Sequence, residues 1–160
     1  MRVHKNLNIK LVEAKDIRPL RHKMLRQGKK FSTTSYNRDN EKNTFHLAAF
    51  LGDEIVSCGT FYPEKTDRIY SKNSYRLRGM ATDIKYSRNG FGMEIMSKAF
   101  MILKNSDCDL LWCNARLVAL SFYHAVGMKE IGNIFDISDI GPHYFMYKKI
   151  FQGNFPPIIS

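Results

Sequence analysis

The residues best suited to chemistry in this sequence lie in a short polar loop, Ser87 to Gly92, between a β-type run and an amphipathic run. Gly90 and Gly92 let the backbone approach a bulky group closely, and the N–H groups that open a helix have no intrahelical partner. These N–H groups and the positive end of the helix dipole favour an anion. The loop is therefore predicted to bind a pyrophosphate.

Two common phosphate-binding motifs are excluded by the residues that surround this loop. A dinucleotide-binding fingerprint needs a small residue three positions after Gly92, where Ile95 stands. A P-loop needs a Gly-Lys-Ser/Thr sequence, and none follows the loop. The loop must therefore belong to another class of anion-binding turn.

Hydrophobic periodicity around the loop predicts a single α/β domain over 1–150 and a C-terminal tail over 151–160. β-type runs cover 8–14, 44–51, 54–61, 75–82, 110–114, 128–137 and 143–150. Helical spacing covers 16–27, 93–103 and 119–126, with Asp16 as the expected N-cap of the first helix. Gly52-Asp53 predicts a hairpin, and the polar stretch 29–43 predicts a long loop or a short irregular helix.

The run 75–82 is unusual for a central strand because it carries two arginines. Alternation places Arg76, Arg78, Met80 and Thr82 on one side of this strand. A buried guanidinium without a partner is unfavourable, so each arginine needs a carboxylate, a phosphate or an open cleft. Pairing with a neighbouring acid and binding of a substrate are both consistent with the sequence.

Composition bounds the possible partners of the protein. The chain has 160 residues, a formal net charge of +10 and no apolar run long enough to span a bilayer, which predicts a soluble, cytoplasmic protein with an anionic partner. Its basic N-terminal residues lack the interleaved aromatic residues of a single-strand nucleic-acid platform, so nucleic acid is a weaker prediction than a phosphorylated coenzyme. A role of the net charge in solubility alone is equally consistent with the sequence. Cys58, Cys108 and Cys113 lack metal-type spacing and are expected to be reduced core residues. No metal site is predicted.

Two motifs resemble the GCN5-related N-acetyltransferase (GNAT) family. The glycine loop resembles the acetyl-CoA loop of that family, Arg/Gln-x-x-Gly-x-Gly/Ala, with Ser87 in place of the usual Arg or Gln and Arg88 one position later. The second motif resembles the family's C-terminal half, with Met128 in place of the usual Phe. It comprises Leu111-Trp112-Cys113-Asn114-Ala115-Arg116, Ala119, Phe122-Tyr123, Gly127-Met128 and Gly132. The resemblance covers roughly 9–150, and the runs 75–82 and 140–146 are similar to a bacterial branch.

The resemblance implies the GNAT acyl-CoA N-acyltransferase fold. That fold has a mixed, mostly antiparallel sheet of six to seven strands, flanked by helices and splayed between the strand that ends at Thr82 and the strand 110–114. Coenzyme A would lie in the gap, where backbone groups of Met80, Ala81 and Thr82 lack ladder partners and one N–H can polarise the thioester carbonyl. The pyrophosphate would be bound by the backbone N–H groups of Arg88, Asn89, Gly90, Phe91, Gly92 and Met93. Asn114 would contact the cofactor arm or the helix opening.

The resemblance also implies an enzyme that moves an acetyl group from acetyl-CoA to a primary amine of a small molecule or peptide, by direct attack in a ternary complex. Tyr123 would protonate the departing thiolate, because a phenol with a pKa near ~10 stays protonated at neutral pH. The candidates for the general base are His46, Glu64, Asp83 and His143. Arg76 and Arg78 motivate the hypothesis that the acceptor carries a carboxylate or a phosphate.

Three further questions stay open at the level of sequence. The enzyme could transfer a different acyl group, or the same fold could serve as a basic nucleic-acid-binding module. The acceptor itself is not identified by any motif. The family resemblance implies a possible homodimer through an edge strand.

Overall fold

The computed structural model describes residues 6–151. Its strands are β1 (Leu7–Val12), β2 (Phe45–Leu51), β3 (Glu54–Pro63), β4 (Ser74–Thr82), β5 (Leu110–Arg116), β6 (Lys129–Ile137) and β7 (Gly141–Lys149). Its α-helices are α1 (Ala14–Leu25), α2 (Phe91–Asn105) and α3 (Leu120–Ala125). Short 3-10 turns cover Phe31–Thr34, Ile84–Tyr86 and Leu117–Ala119. The predicted tail lies outside the described residues except for Phe151.

One sheet of seven strands runs through the described part of the chain in the order β1-β2-β3-β4-β5-β7-β6. All neighbouring strands are antiparallel except β4 and β5. That parallel pair is joined only at Ser74 to Arg76, which lie opposite Leu110 to Trp112. Beyond Arg76 the two strands separate, so the expected opening between the central strands is confirmed.

Helices cover both faces of the sheet and divide the apolar interior. The larger cluster lies under α2 and includes Phe61, Leu77, Ile95 and Met146. A smaller cluster under α1 is built around Ile17, Leu20 and Ala81, among other residues. Burial on both faces is expected for the central strands, and it explains the nearly continuous apolar sequence of β5.

The first helix begins two residues earlier than the predicted cap at Asp16. Glu13 is the N-cap, and the Asp16 carboxylate accepts a hydrogen bond from the Glu13 N–H at 3.0 Å. The acidic residue therefore acts from the third helical position, as in a capping box. Pro19 consequently lies in the second turn of α1.

The prediction that Arg76, Arg78, Met80 and Thr82 share one side of β4 is wrong. Thr60 of β3 pairs with Arg78, and Cys58 pairs with Ala81, so two residues of β4 oppose the single residue between them. The extra residue is Gly79, whose φ is +64°. This bulge shifts the alternation by one residue, and Met80 consequently packs against the α2 cluster.

Candidate active site

The predicted anion-binding loop connects β4 to α2 by way of a 3-10 turn. Asp83 caps this turn by accepting a hydrogen bond from the Lys85 N–H, and the Asn89 side chain donates to the Tyr86 carbonyl at 3.0 Å. Arg88 and Gly90 both have positive φ, at 63° and 80°. Two left-handed residues so close together turn the chain sharply into the helix.

The N-terminus of α2 presents backbone donors to the cleft. The first intrahelical hydrogen bond runs from the Glu94 N–H to the Gly90 carbonyl at 3.1 Å. The N–H groups that donate no hydrogen bond to the described residues are those of Arg88, Asn89, Gly90, Gly92 and Met93. Such a set of donors, backed by a helix of 15 residues, suits an anion.

Gly92 lies where three elements meet. A Cβ at this position would approach Phe122 Cε1 of α3 to 2.9 Å and Met80 Cε of β4 to 3.4 Å. Only a residue without a side chain allows the loop to sit this close to β4 and α3. The loop is thereby held at the edge of the gap between β4 and β5.

Tyr123 lies on the α2 side of the same gap. The residue is 7% exposed, and its hydroxyl makes no hydrogen bond to the described residues. Burial raises the pKa of Tyr123 well above its usual value, and the buried Cys113 thiol adds to the increase, while the positive charge of Arg116 opposes it. The phenol is therefore protonated at neutral pH and has a proton to donate.

Backbone and side-chain groups also face the gap without partners. From Leu77 to Thr82, β4 pairs with β3 except at the bulge, and the described residues supply no ladder partner on the side of β5. Asn114 of β5 is half-buried, and its side-chain amide makes no hydrogen bond to residues 6–151. An amide-rich ligand could satisfy these groups like an added strand.

The two arginines of β4 have different environments. Arg76 pairs with Glu64 at 3.1 Å and its guanidinium lies 4.8 Å from the Trp112 ring centroid, so its charge has a carboxylate partner. Arg78 has no such partner within the described chain, and it lies 4.2 Å from the centroid of the Tyr36 ring. The sequence did not single out Tyr36, because it belongs to a loop without periodicity.

A buried polar network lies behind Tyr36. Arg21 is fully buried and binds Asp39 with both terminal nitrogens, at 2.7 and 2.9 Å, and it also donates to Thr60 Oγ1. His46 joins this network through Thr60 and the Asp39 carbonyl. Because a carbonyl only accepts, His46 Nε2 carries the proton and Nδ1 accepts from the Thr60 hydroxyl. Both ring nitrogens of His46 are thus occupied.

Two other base candidates are also engaged in ion pairs. Asp83 accepts from Lys23 Nζ at 2.8 Å, and this hydrogen bond lowers the pKa of the carboxyl group. Glu64 bridges Arg38 and Arg76. The Asp83 carboxylate is therefore a weak proton acceptor, because Lys23 stabilises its charged form.

His143 differs from these three candidates in its free nitrogen. Its Nδ1 lies 2.7 Å from the Gly141 carbonyl, so Nδ1 carries the proton and Nε2 keeps its lone pair. Nε2 has no hydrogen-bond partner among the described residues. His143 lies directly opposite Arg116 in the β5–β7 ladder, at the open end of the gap.

Two cavities lie on the surface near these elements. The larger, of about 520 Å³, is bordered by the start of α1, by the loop that precedes β2 and by His46. The smaller, of about 270 Å³, lies between the end of α1, Arg116 and the β6–β7 turn. Among the described residues, no helix is both long and apolar enough to cross a membrane.

Comparison with known proteins identifies the family. Residues 14–128 match the family model "Acetyltransferase (GNAT) family". The chain is 33% identical over 144 residues to the "Uncharacterized N-acetyltransferase YitI" of Bacillus subtilis (strain 168), which covers 90% of this chain and 97% of that protein.

Solved structures share the fold at low sequence identity. A Lactobacillus plantarum protein assigned to the N-acetyltransferases superposes with a TM-score of 0.74 at 17% identity and covers 92% of this chain and 100% of that one. An aminoglycoside 6'-N-acetyltransferase complexed with coenzyme A superposes with a TM-score of 0.73 at 12% identity, covering 91% and 98%. Together with the match to the family model, these similarities show that the chain is an acetyltransferase and belongs to the GNAT family.

Proposed function

We propose that this enzyme transfers an acetyl group from acetyl-CoA to a primary amine within a ternary complex. The observation that carries the proposal is the gap between β4 and β5. Along this gap, backbone groups of β4 and the N–H groups of Gly92 and Met93 in the first turn of α2 have no partner among the described residues, and a protonated Tyr123 lies on one side. The aminoglycoside acetyltransferase of the same fold was solved with coenzyme A. In this chain the pyrophosphate binds the loop, and the pantetheine arm runs along β4.

The proposed reaction uses the two faces of the sheet. The amine nitrogen attacks the thioester carbonyl from the α1 side, and a backbone N–H freed near the β4 bulge stabilises the oxyanion. The C–N bond forms, the C–S bond breaks, and Tyr123 on the α2 side gives its proton to the thiolate. The proton lost by the amine passes to His143 Nε2 and from there to solvent, and Tyr123 regains a proton from solvent. The products are an N-acetylated amine and coenzyme A.

The experiment that tests this proposal is calorimetric titration of acetyl-CoA into the wild type and into a Gly90→Arg, Gly92→Asp double variant. A side chain at Gly92 would collide with Phe122, and a carboxylate would repel the pyrophosphate. We expect micromolar binding to the wild type and its loss in the variant. A Gly52→Ala variant, altered at a hairpin away from the loop, should bind as the wild type does.

Two results would contradict the proposal. If the wild type did not bind acetyl-CoA, the assignment of the cleft to the coenzyme would be wrong. If a longer acyl-CoA gave a higher kcat/KM than acetyl-CoA with the same amine, the transferred group would be another acyl group. Tight, salt-dependent binding of duplex DNA in place of acetyl-CoA would favour the alternative of a nucleic-acid-binding module.

A further inference from the structure

The smaller cavity is lined by an excess of positive side chains. Its polar lining consists of Arg26, Lys29, Thr33, Arg116, Ser138 and Asp139. Three of these are cations and one is a carboxylate. None of the four charged side chains forms a salt bridge within 4.0 Å in the described part of the chain.

Three arginines elsewhere in the site do have carboxylate partners. Arg21 is paired with Asp39, and Arg38 and Arg76 are paired with Glu64. Converging cations repel one another unless a counter-charge occupies the space between them. A cavity of about 270 Å³ is large enough for the anionic end of a small ligand.

The cavity lies next to the proposed reaction centre. Arg116 is the last residue of β5, and its charge acts on the phenol of Tyr123. It also pairs across the ladder with His143. On the other side, Arg26 and Arg78 both lie over the ring of Tyr36, at 5.6 and 4.2 Å from its centroid, which connects the cavity to β4.

We propose that the amine acceptor carries an anionic group, a carboxylate or a phosphate, which binds in this cavity between Arg26, Lys29 and Arg116. The inference rests on the proposed function, since the amine must reach the acetyl group from the α1 side. Guanidinium groups bind both anions through paired N–H donors, and Lys29 adds a point charge. Arg78 provides a further unpaired cation on the path toward the reaction centre.

The first test measures anion binding directly, by calorimetric titration of inorganic phosphate and of malonate at constant ionic strength. Saturating coenzyme A is present, so the loop before α2 is occupied. We expect millimolar binding of at least one probe, weakened about ten-fold in Arg116→Gln and in Lys29→Gln because each loses a charged donor. Lys104→Gln, at the far end of α2, removes the same charge and should bind as the wild type does. The proposal is overturned if neither probe binds, or if all three variants bind alike.

The second test compares amines that differ only in their charge. L-amino acids are compared with their carboxamides, and phosphoethanolamine is compared with ethanolamine, by release of the coenzyme A thiol. We expect the anionic member of an active pair to have a KM about ten-fold lower, and the Arg116→Gln variant to lose this preference while its KM for acetyl-CoA is unchanged. Activity with the amino-acid pair would identify the anion as a carboxylate, and activity with the phosphoethanolamine pair would identify it as a phosphate.

The failures of the two proposals are distinguishable. If acetyl-CoA binds and neutral amines are acetylated as efficiently as anionic ones, the anionic acceptor is wrong but the transferase reaction stands. If acetyl-CoA does not bind, the proposed function fails. If no amine in the panel reacts, the titrations of phosphate and malonate still show whether the cavity binds an anion.

Discussion

At the scale of single residues, Tyr123 has the environment of a proton donor. Replacing it by Phe removes the hydroxyl and keeps the ring in its apolar site. Because that hydroxyl has no hydrogen-bond partner among residues 6–151, folding should be retained. We expect kcat to fall about a hundred-fold, a typical contribution of general acid catalysis, with an unchanged Kd for acetyl-CoA.

The control for Tyr123→Phe is Tyr147→Phe, since Tyr147 packs beside Trp112 and Phe145, away from the loop. It should retain wild-type kcat. The raised pKa of Tyr123 also predicts that the wild-type rate shows no loss from deprotonation of this phenol up to about pH 10. A Tyr123→Phe enzyme with wild-type kcat would exclude the acid role.

His143 is the second residue whose role can be tested. In His143→Gln, the amine would lose its proton acceptor, and we expect kcat/KM to fall about a hundred-fold near neutral pH. His124→Gln is the matched control, because His124 is exposed and pairs with Glu130. An equal loss in both variants, or a wild-type kcat/KM in His143→Gln, would refute the role of base.

At the scale of elements, the bulge in β4 sets the geometry of the cleft. In Gly79→Ala an alanine would have to adopt a backbone φ near +64°. Its Cβ would lie 3.1 Å from both Arg21 Nε and Tyr36 Cε2. Arg21 cannot move aside easily because Asp39 and Thr60 hold it. We expect a loss of about 2–4 kcal/mol in the free energy of unfolding, from backbone strain and overpacking together.

The hairpin provides the matched control for the bulge. Gly52 has nearly the same φ, +63°, but a Cβ there would have no atom of residues 6–151 within 4 Å. Gly52→Ala should therefore lose only about 1–2 kcal/mol from backbone strain. Urea denaturation of both variants measures the difference. Equal losses would show that contact with Arg21 and Tyr36 adds nothing to the cost of a side chain in the bulge.

The same bulge shows which features of the elements could be predicted from sequence. Strand positions followed from alternation and helices from their apolar stripes, because both patterns are local. Gly79 inside a strand was itself a signal of a bulge, and it could have corrected the predicted face of Met80. The partners of Arg21 could not be predicted, because Asp39 and Thr60 are distant in sequence and come together only through tertiary packing.

In the candidate site, too, the features that depend on local sequence could be predicted and those that depend on tertiary packing could not. The glycine loop could be predicted from the local spacing of its residues and the role of Tyr123 from the family resemblance, and both roles stay predictions. The cationic cavity was not, because Arg26, Arg116 and Asp139 come from three elements that meet only in the folded protein. Likewise, alternation placed Arg76 and Arg78 on the same side of the strand. Only the structure shows that Arg76 has a carboxylate partner and that Arg78 has none among the described residues.

At the scale of the whole molecule, His46 links stability to pH. Burial lowers the pKa of His46 below its usual 6.5, so the unfolded chain takes up a proton that the folded chain does not. The associated stability is present above about pH 6.5 and is lost as the pH falls below it. Urea denaturation at several pH values should show this loss, and it should be smaller in His46→Gln. A parallel decline in both proteins would assign the effect to other groups.

The net charge of +10 has a separate consequence for the whole molecule, because the proposed substrates are anionic. The Debye length is about 10 Å at ~0.1 M salt, so raising NaCl from about 0.05 to about 0.5 M should lower kcat/KM for acetyl-CoA while kcat stays constant.

A comparison of Arg88→Gln with Lys104→Gln distinguishes the effect of the charge at the loop from the effect of the net charge, since each substitution removes one positive charge. Lys104 lies near the opposite end of α2, about 20 Å from the loop at 1.5 Å per residue. We expect only Arg88→Gln to raise KM for acetyl-CoA and to weaken the salt dependence, because the field that matters is the one at the loop. Equal effects of the two substitutions would instead mean that the charge of the molecule as a whole attracts the coenzyme.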